Sequence, residues 1–176
     1  NPKAKSTSDE LLAVMFTDIV GSTKMIQDHG DEGAQTVVRV HNRIVRSSLK
    51  MHGGTEVKHT GDGIMASFTR PGAAVTSAIV MLEGLKVHNA KGDGLPLHMR
   101  IGINSGEPIV EDNDLFGTTV QMAARICDAA ETDQLLVSSI VRDLYSGQTI
   151  KFDASGQYGM KGIAEPVTLY EPCLNT

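Results

Sequence analysis

The chain has 176 residues, 40% of them hydrophobic and 21% charged, with a net charge of −5: enough for one well-filled domain, and too acidic for a nucleic-acid binder. Aromatic residues are only 4% and Trp is absent, so Val, Ile, Leu, Met and Ala must fill the core. Two cysteines exclude a disulfide framework and no apolar run nears the roughly 18 residues of a membrane span, which predicts a cytoplasmic domain, alone or as the cytosolic part of a membrane-anchored protein.

Residues 1–9 are polar and aperiodic and read as a linker or a cloning scar, leaving 10–176 as the domain, with a regulatory domain expected outside the segment. Leu11 to Ile19 is a continuous apolar run ending in a polar pair, as in a buried central strand. Gly21-Ser22-Thr23 opens a helical stretch with Ser or Thr as its cap, and Val37, Val38, Val40, Ile44, Val45 and Leu49 give a long amphipathic helix over Asp31–His52, stopped by Gly53-Gly54. Thr55–His59 and Ile64–Phe68 read as strands joined at Gly61-Asp62-Gly63. Arg70-Pro71-Gly72 breaks the chain before a helix reaching His88, and Lys91–Pro96 is a loop. His98–Asn104 alternates as a strand, Pro108–Val110 is a short strand, and Glu111–Asp114 an acidic loop. Thr119–Ala130 and Ser138–Ser146 are helices, while Leu135–Val137, Lys151–Phe152 and Val167–Tyr170 are strands. The order β-α-β-β-α-β predicts an α+β fold with a ferredoxin-like core, a mostly antiparallel sheet carrying helices on one face, with strands appended.

Asp18 falls where the first strand meets the Gly-Ser-Thr turn, and Asp62 sits in the Gly-Asp-Gly turn. Taken singly, each is an ordinary helix cap or turn residue. Together, at the ends of strands that a split βαβ core makes neighbours, they suit a pair of divalent cations, since Mg²⁺ takes one or two carboxylates plus phosphate oxygens and water. The segment Ile19–Thr23 offers backbone N–H groups at a helix N-terminus, a natural anion site, and no Walker A sequence occurs.

Met15-Phe16-Thr17-Asp18-Ile19-Val20-Gly21-Ser22-Thr23 closely resembles the opening motif of class III nucleotidyl cyclases. The resemblance continues through Lys58-His59-Thr60-Gly61-Asp62-Gly63, Arg100 to Gly106, Asp114 to Gly117 with Ala123-Ala124-Arg125, and Met160-Lys161-Gly162-Ile163. It implies an adenylate cyclase that converts ATP to cyclic AMP and pyrophosphate, with two Mg²⁺ or Mn²⁺ ions, as a head-to-tail homodimer sharing its active sites. Asp18, Asp62 and Ile19 would form the metal site. Phe16, Thr17, Gly21, Ser22, Thr23 and Lys161 would bind substrate. The other subunit would supply Lys58 and Asp114 to the adenine and Arg125 to the phosphates. A Lys donating to N1 and an Asp accepting from the exocyclic amine read adenine, because guanine presents the opposite pattern at that edge. Lys58 precedes Asp62 by four residues, which strand alternation would put on one face. Without the motif, Arg125 would be a surface helix arginine paired with Asp128 or Glu131.

Gln121 stands where the family usually has the Asn that orients the ribose, one turn before Arg125 on the same helix face. The segment between Gly106 and Gly117 is short, so Asp112 is an alternative to Asp114 as base acceptor. The competing readings are a degenerate cyclase-like domain that binds nucleotide and dimerises without turnover, a cyclase of relaxed purine selectivity, and a two-metal nucleotidyltransferase or cyclic-dinucleotide synthase.

Overall fold

The first strand, β1 (Leu12–Ile19), has Ala13, Val14 and Met15 fully buried in succession. Burial on both faces explains why its sequence is continuously apolar rather than alternating. The computed structural model describes residues 10–147 and 149–174; the linker expected at 1–9 lies outside them. After β1 come α1 (Ser22–His52), β2 (Thr55–His59), β3 (Ile64–Phe68), α2 (Pro71–Lys91) and β4 (Met99–Gly106). Then follow β5 (Ile109–Glu111), β6 (Asp114–Phe116), α3 (Thr118–Ala129), β7 (Leu135–Val137), α4 (Ser139–Leu144), β8 (Phe152–Tyr158) and β9 (Val167–Pro172).

Seven strands form one sheet in the order β2-β3-β1-β4-β7-β9-β8. Its first four strands are those of the expected ferredoxin-like core, with β1 antiparallel to both β3 and β4. The β4–β7 pair is parallel, so the sheet is mixed but mostly antiparallel. The α+β expectation holds.

The helices do not all lie on one face. Ala13 and Met15 pack with α1 and α2 residues such as Val45, Leu49, Ala78 and Met81, whereas Val14 packs with Met65, Leu115 and Ala123. Successive strand residues face opposite ways, so α1, α2 and α4 cover one face while α3 and the β5–β6 hairpin cover part of the other.

Gly30, at φ 70° and ψ −179°, interrupts α1 inside its span, which is why the periodic pattern begins at Asp31. That conformation suits glycine alone. Pro71 opens α2 and Ser138 caps α4, its hydroxyl accepting from Val141 N–H. The expected acidic loop is the tip of a hairpin: Asp112 and Asn113 adopt φ 50° and 61°, a two-residue turn that Asx residues tolerate, and β6 follows. Among the described residues, no helix is long and apolar enough to cross a membrane.

Candidate functional site

Asp18 lies at the end of β1 directly opposite Arg100 on β4. Arg100 Nη2 donates to Asp18 Oδ2 at 2.5 Å, and Nη1 donates to the Asp128 carbonyl at 2.9 Å, tying β1, β4 and α3 together. The Asp18 hydrogen bond raises the guanidinium pKa further, so Arg100 is a fixed positive charge beside the carboxylate. Arg100 opens the motif Arg100 to Gly106, and no role for it is expected from the sequence. The alternation of His98–Asn104 separates Arg100 from Met99 and Ile101, but its placement against Asp18 follows only from the β1–β4 register.

Asp62 reaches the same corner from the turn between β2 and β3. Ile19 N–H donates to the Asp62 carbonyl at 2.9 Å, and Ser22 Oγ donates to Asp62 Oδ2 at 2.7 Å. The backbone of Gly63 lies so close to β1 that a Cβ there would stand 1.8 Å from the Thr17 carbonyl oxygen, which only glycine permits. Asp18 caps nothing, because the N-cap of α1 is Gly21 and makes no side-chain cap bond. Ser22 and Thr23 are therefore helical residues rather than caps, and the Ser22 hydroxyl serves Asp62. Of the backbone N–H groups in Ile19–Thr23, Ile19 and Val20 are already used, by the carbonyls of Asp62 and His98. The groups left for an anion are those of Gly21, Ser22 and Thr23, at the start of α1. Beside them opens a cleft of about 510 Å³ lined by Ser22, Met25, Val38, Asn42, His59 and Asp62.

These carboxylates fit Mg²⁺ or Mn²⁺. Both are hard oxygen donors, and among the described residues no cluster of three or more His, Cys, Asp or Glu forms an all-protein cage. Such cations complete their shells with phosphate oxygens and water.

Thr17 departs from the expected substrate contact. It is 2% exposed, and its hydroxyl faces α1, within 2.9 Å of His41 Nε2. Residue 17 points to the helical layer because 16 and 18 point to the other. Phe16, half-buried opposite Gly102 and Met65, is on the face with Asp18.

Lys58 Nζ donates to Asp114 Oδ2 at 2.9 Å and lies 5.8 Å from the Phe116 ring centroid. That bond, with a second from Leu115 N–H, holds the Asp114 carboxyl below its ordinary value. Asp112 is at the exposed hairpin tip, so Asp114 is the acidic partner of Lys58. Asp62 lies beyond the end of β2, so strand alternation from Lys58 does not extend to it.

Gln121 and Arg125 stand one turn apart on α3, the first exposed and the second half-buried. Among the described residues, Arg125 forms no ion pair, and Asp128 lies beside Arg100 instead. Lys161 is exposed in the turn between β8 and β9, closed by Ile163 N–H to the Met160 carbonyl at 3.1 Å.

The profile of the adenylate and guanylate cyclase catalytic domain matches residues 4–171. The chain belongs to this family. An adenylate cyclase of Mycosarcoma maydis is 33% identical to the cyclase domain over 175 residues, covering 86% of this chain and 7% of that protein. The chain spans at most 29% of the length of the first five curated relatives it matches. The adenylyl cyclase CyaB of P. aeruginosa superposes with a TM-score of 0.82 at 26% identity, over 95% of each chain. The guanylyl cyclase Cya2 has the same fold, with a TM-score of 0.81 at 22% identity over 93% of this chain and 91% of its own. Fold alone therefore does not decide the base.

Proposed function

We propose that this cyclase domain is an adenylate cyclase, converting ATP to 3′,5′-cyclic AMP and pyrophosphate in a homodimer whose subunits each contribute to both sites. The observation that carries it is the corner where β1 and the β2–β3 turn meet: two carboxylates joined by Ile19 N–H to the Asp62 carbonyl, beside free N–H groups at a helix N-terminus. Asp18 and Asp62 hold the two divalent ions. Bound there, the ions supply Lewis acidity toward the ribose 3′ oxygen and the triphosphate. Gly21 to Thr23 offer backbone N–H groups to the phosphates. From the partner, Arg125 places a permanent bidentate charge where negative charge grows on the α-phosphorus. Gln121 orients the ribose for in-line attack by its 3′ oxygen.

Base choice rests on Lys58 and Asp114. Their 2.9 Å contact puts one donor and one acceptor side by side, the complement of the adenine N1 and amine edge. Names of relatives support the same choice, since the Mycosarcoma maydis and P. aeruginosa proteins are adenylate cyclases.

Purified domain is incubated with Mn²⁺ or Mg²⁺ and each of ATP, GTP, CTP and UTP, and the products are separated. Cyclic AMP from ATP alone is expected, with Asp62→Ala inactive. No 3′,5′-cyclic nucleotide at high protein concentration would sink the reading. That result would favour a nucleotide-binding, dimerising domain without turnover, to which Gln121 is the one residue that points.

A further inference from the structure

His41 is fully buried on α1 and belongs to no motif above, yet it sits one hydrogen bond from the metal-bearing strand. The backbone ladder between β1 and β3 runs as far as the Phe16–Met65 pair. At the next position Ile64 N–H donates to the Thr17 hydroxyl at 3.1 Å, a side-chain bond where an ordinary ladder uses a carbonyl. The Thr17 oxygen also contacts His41 Nε2 at 2.9 Å, and His41 Nδ1 contacts Asn42 Oδ1 at 2.9 Å.

The pattern assigns the protons. Asn42 Oδ1 only accepts, so His41 Nδ1 carries the hydrogen and Nε2 is the acceptor. Thr17 then donates its O–H to His41 and keeps a lone pair for Ile64 N–H. Burial holds the imidazole neutral, as this arrangement needs. A histidine that merely filled space in this layer would be replaceable by Leu or Met. Three polar side chains gathered where plain strand pairing needs none indicate a task.

That task lies in what the bond joins. Ile64 follows Gly63 and Asp62, while Thr17 precedes Asp18. We propose that His41 is a positioning residue: acting through Thr17, it clamps the start of β3 to the end of β1 and sets the spacing at which Asp18 and Asp62 share divalent cations. This rests on the two-carboxylate reading above.

The test compares His41→Gln, whose amide reaches the place of Nε2, with His41→Asn, which reaches only that of Nδ1. Thr17→Ser and Thr17→Val form a second pair, which keeps the comparison if His41→Asn does not fold. Amide hydrogen exchange at Ile64 and Ile19 is followed by NMR, Mn²⁺ affinity by calorimetry with ATP present, and turnover against Mn²⁺ concentration. His41→Asn and Thr17→Val should quicken exchange at both amides and raise the Mn²⁺ requirement, each about tenfold, the scale of one lost hydrogen bond. Turnover at saturating Mn²⁺ should change little, and His41→Gln and Thr17→Ser should resemble the parent. An unchanged Mn²⁺ affinity alongside a lowered melting temperature would make His41 a packing residue and overturn the proposal. Equal behaviour of the Gln and Asn variants would do the same. If the parent turns over no nucleotide while exchange and Mn²⁺ affinity follow the variants, the cyclase reading fails and the role of His41 stands.

Discussion

In the proposed reaction Gln121 orients the ribose with a side chain one methylene longer than the Asn that the sequence resemblance leads one to expect, and there the difference would have kinetic meaning. A reacting oxygen misplaced by about 1 Å can cost around a hundredfold in rate. Gln121 is exposed on the first turns of α3, so replacing it disturbs no packing. Gln121→Asn is expected to raise kcat about tenfold or more with KM nearly unchanged, because orientation rather than binding improves; initial rates against ATP concentration check this. His41 gives a second prediction at this scale. Burial, only partly countered by its Asn42 bond, lowers its pKa below the ordinary 6.5. The unfolded chain therefore binds a proton that the folded chain refuses. The stability linked to this group is complete above pH 6.5 and falls as the pH drops from there toward the depressed folded value. Melting temperatures between pH 8 and pH 5 should decline in the parent and decline less steeply in His41→Gln, which does not titrate.

At the scale of elements, close approach of backbones decides where the site residues stand. Gly102 on β4 lies under α3 so closely that a Cβ would be 2.3 Å from the Cys127 nitrogen. Gly102→Ala must lift α3, and with it Gln121, Arg125 and the Arg100–Asp128 contact, away from the sheet. Strain of this kind typically costs about 1–3 kcal/mol, so a drop of several degrees in melting temperature is expected, with a larger fractional loss of activity. Calorimetry and initial rates would show both. The same scale explains what the sequence made legible. Val37, Val45 and Leu49 face the sheet at helical spacing, and β1 is apolar because both faces are buried, so the core elements are readable from local pattern. Asp18 and Asp62 are also readable, since turn chemistry and strand ends locate them. What local pattern does not carry is partnership across the sheet. Arg100 meets Asp18 through register, Thr17 turns toward His41 because its neighbours turn away, and β6 exists only because Asp112 and Asn113 accept positive φ. Likewise α3 reads as one more amphipathic helix, and nothing within its own twelve residues tells which face of the sheet it covers.

For the whole molecule, the proposed arrangement divides labour between identical chains. In that arrangement each chain brings its metal carboxylates and the N–H groups of Gly21 to Thr23 to one site, and its base-reading pair and Arg125 to the other. Mixing inactive Asp18→Ala with inactive Arg125→Ala should restore activity, because one of the two sites in the mixed dimer draws both halves from unmutated positions. An activity assay on equimolar mixtures after subunit exchange reads this directly, and no recovery would count against shared sites. The Lys58–Asp114 pair adds a consequence of its own. The two groups satisfy each other at 2.9 Å. If this pair reads the base as proposed, entry of a base is an exchange reaction, in which one internal contact is traded for two external ones. A ring offering an acceptor and a donor together, as adenine does, completes the trade. A ring that presents the two in the opposite order, as guanine does, would leave a charge stranded, so the pair would set a threshold that an ill-matched base must cross before it gains any contact at all.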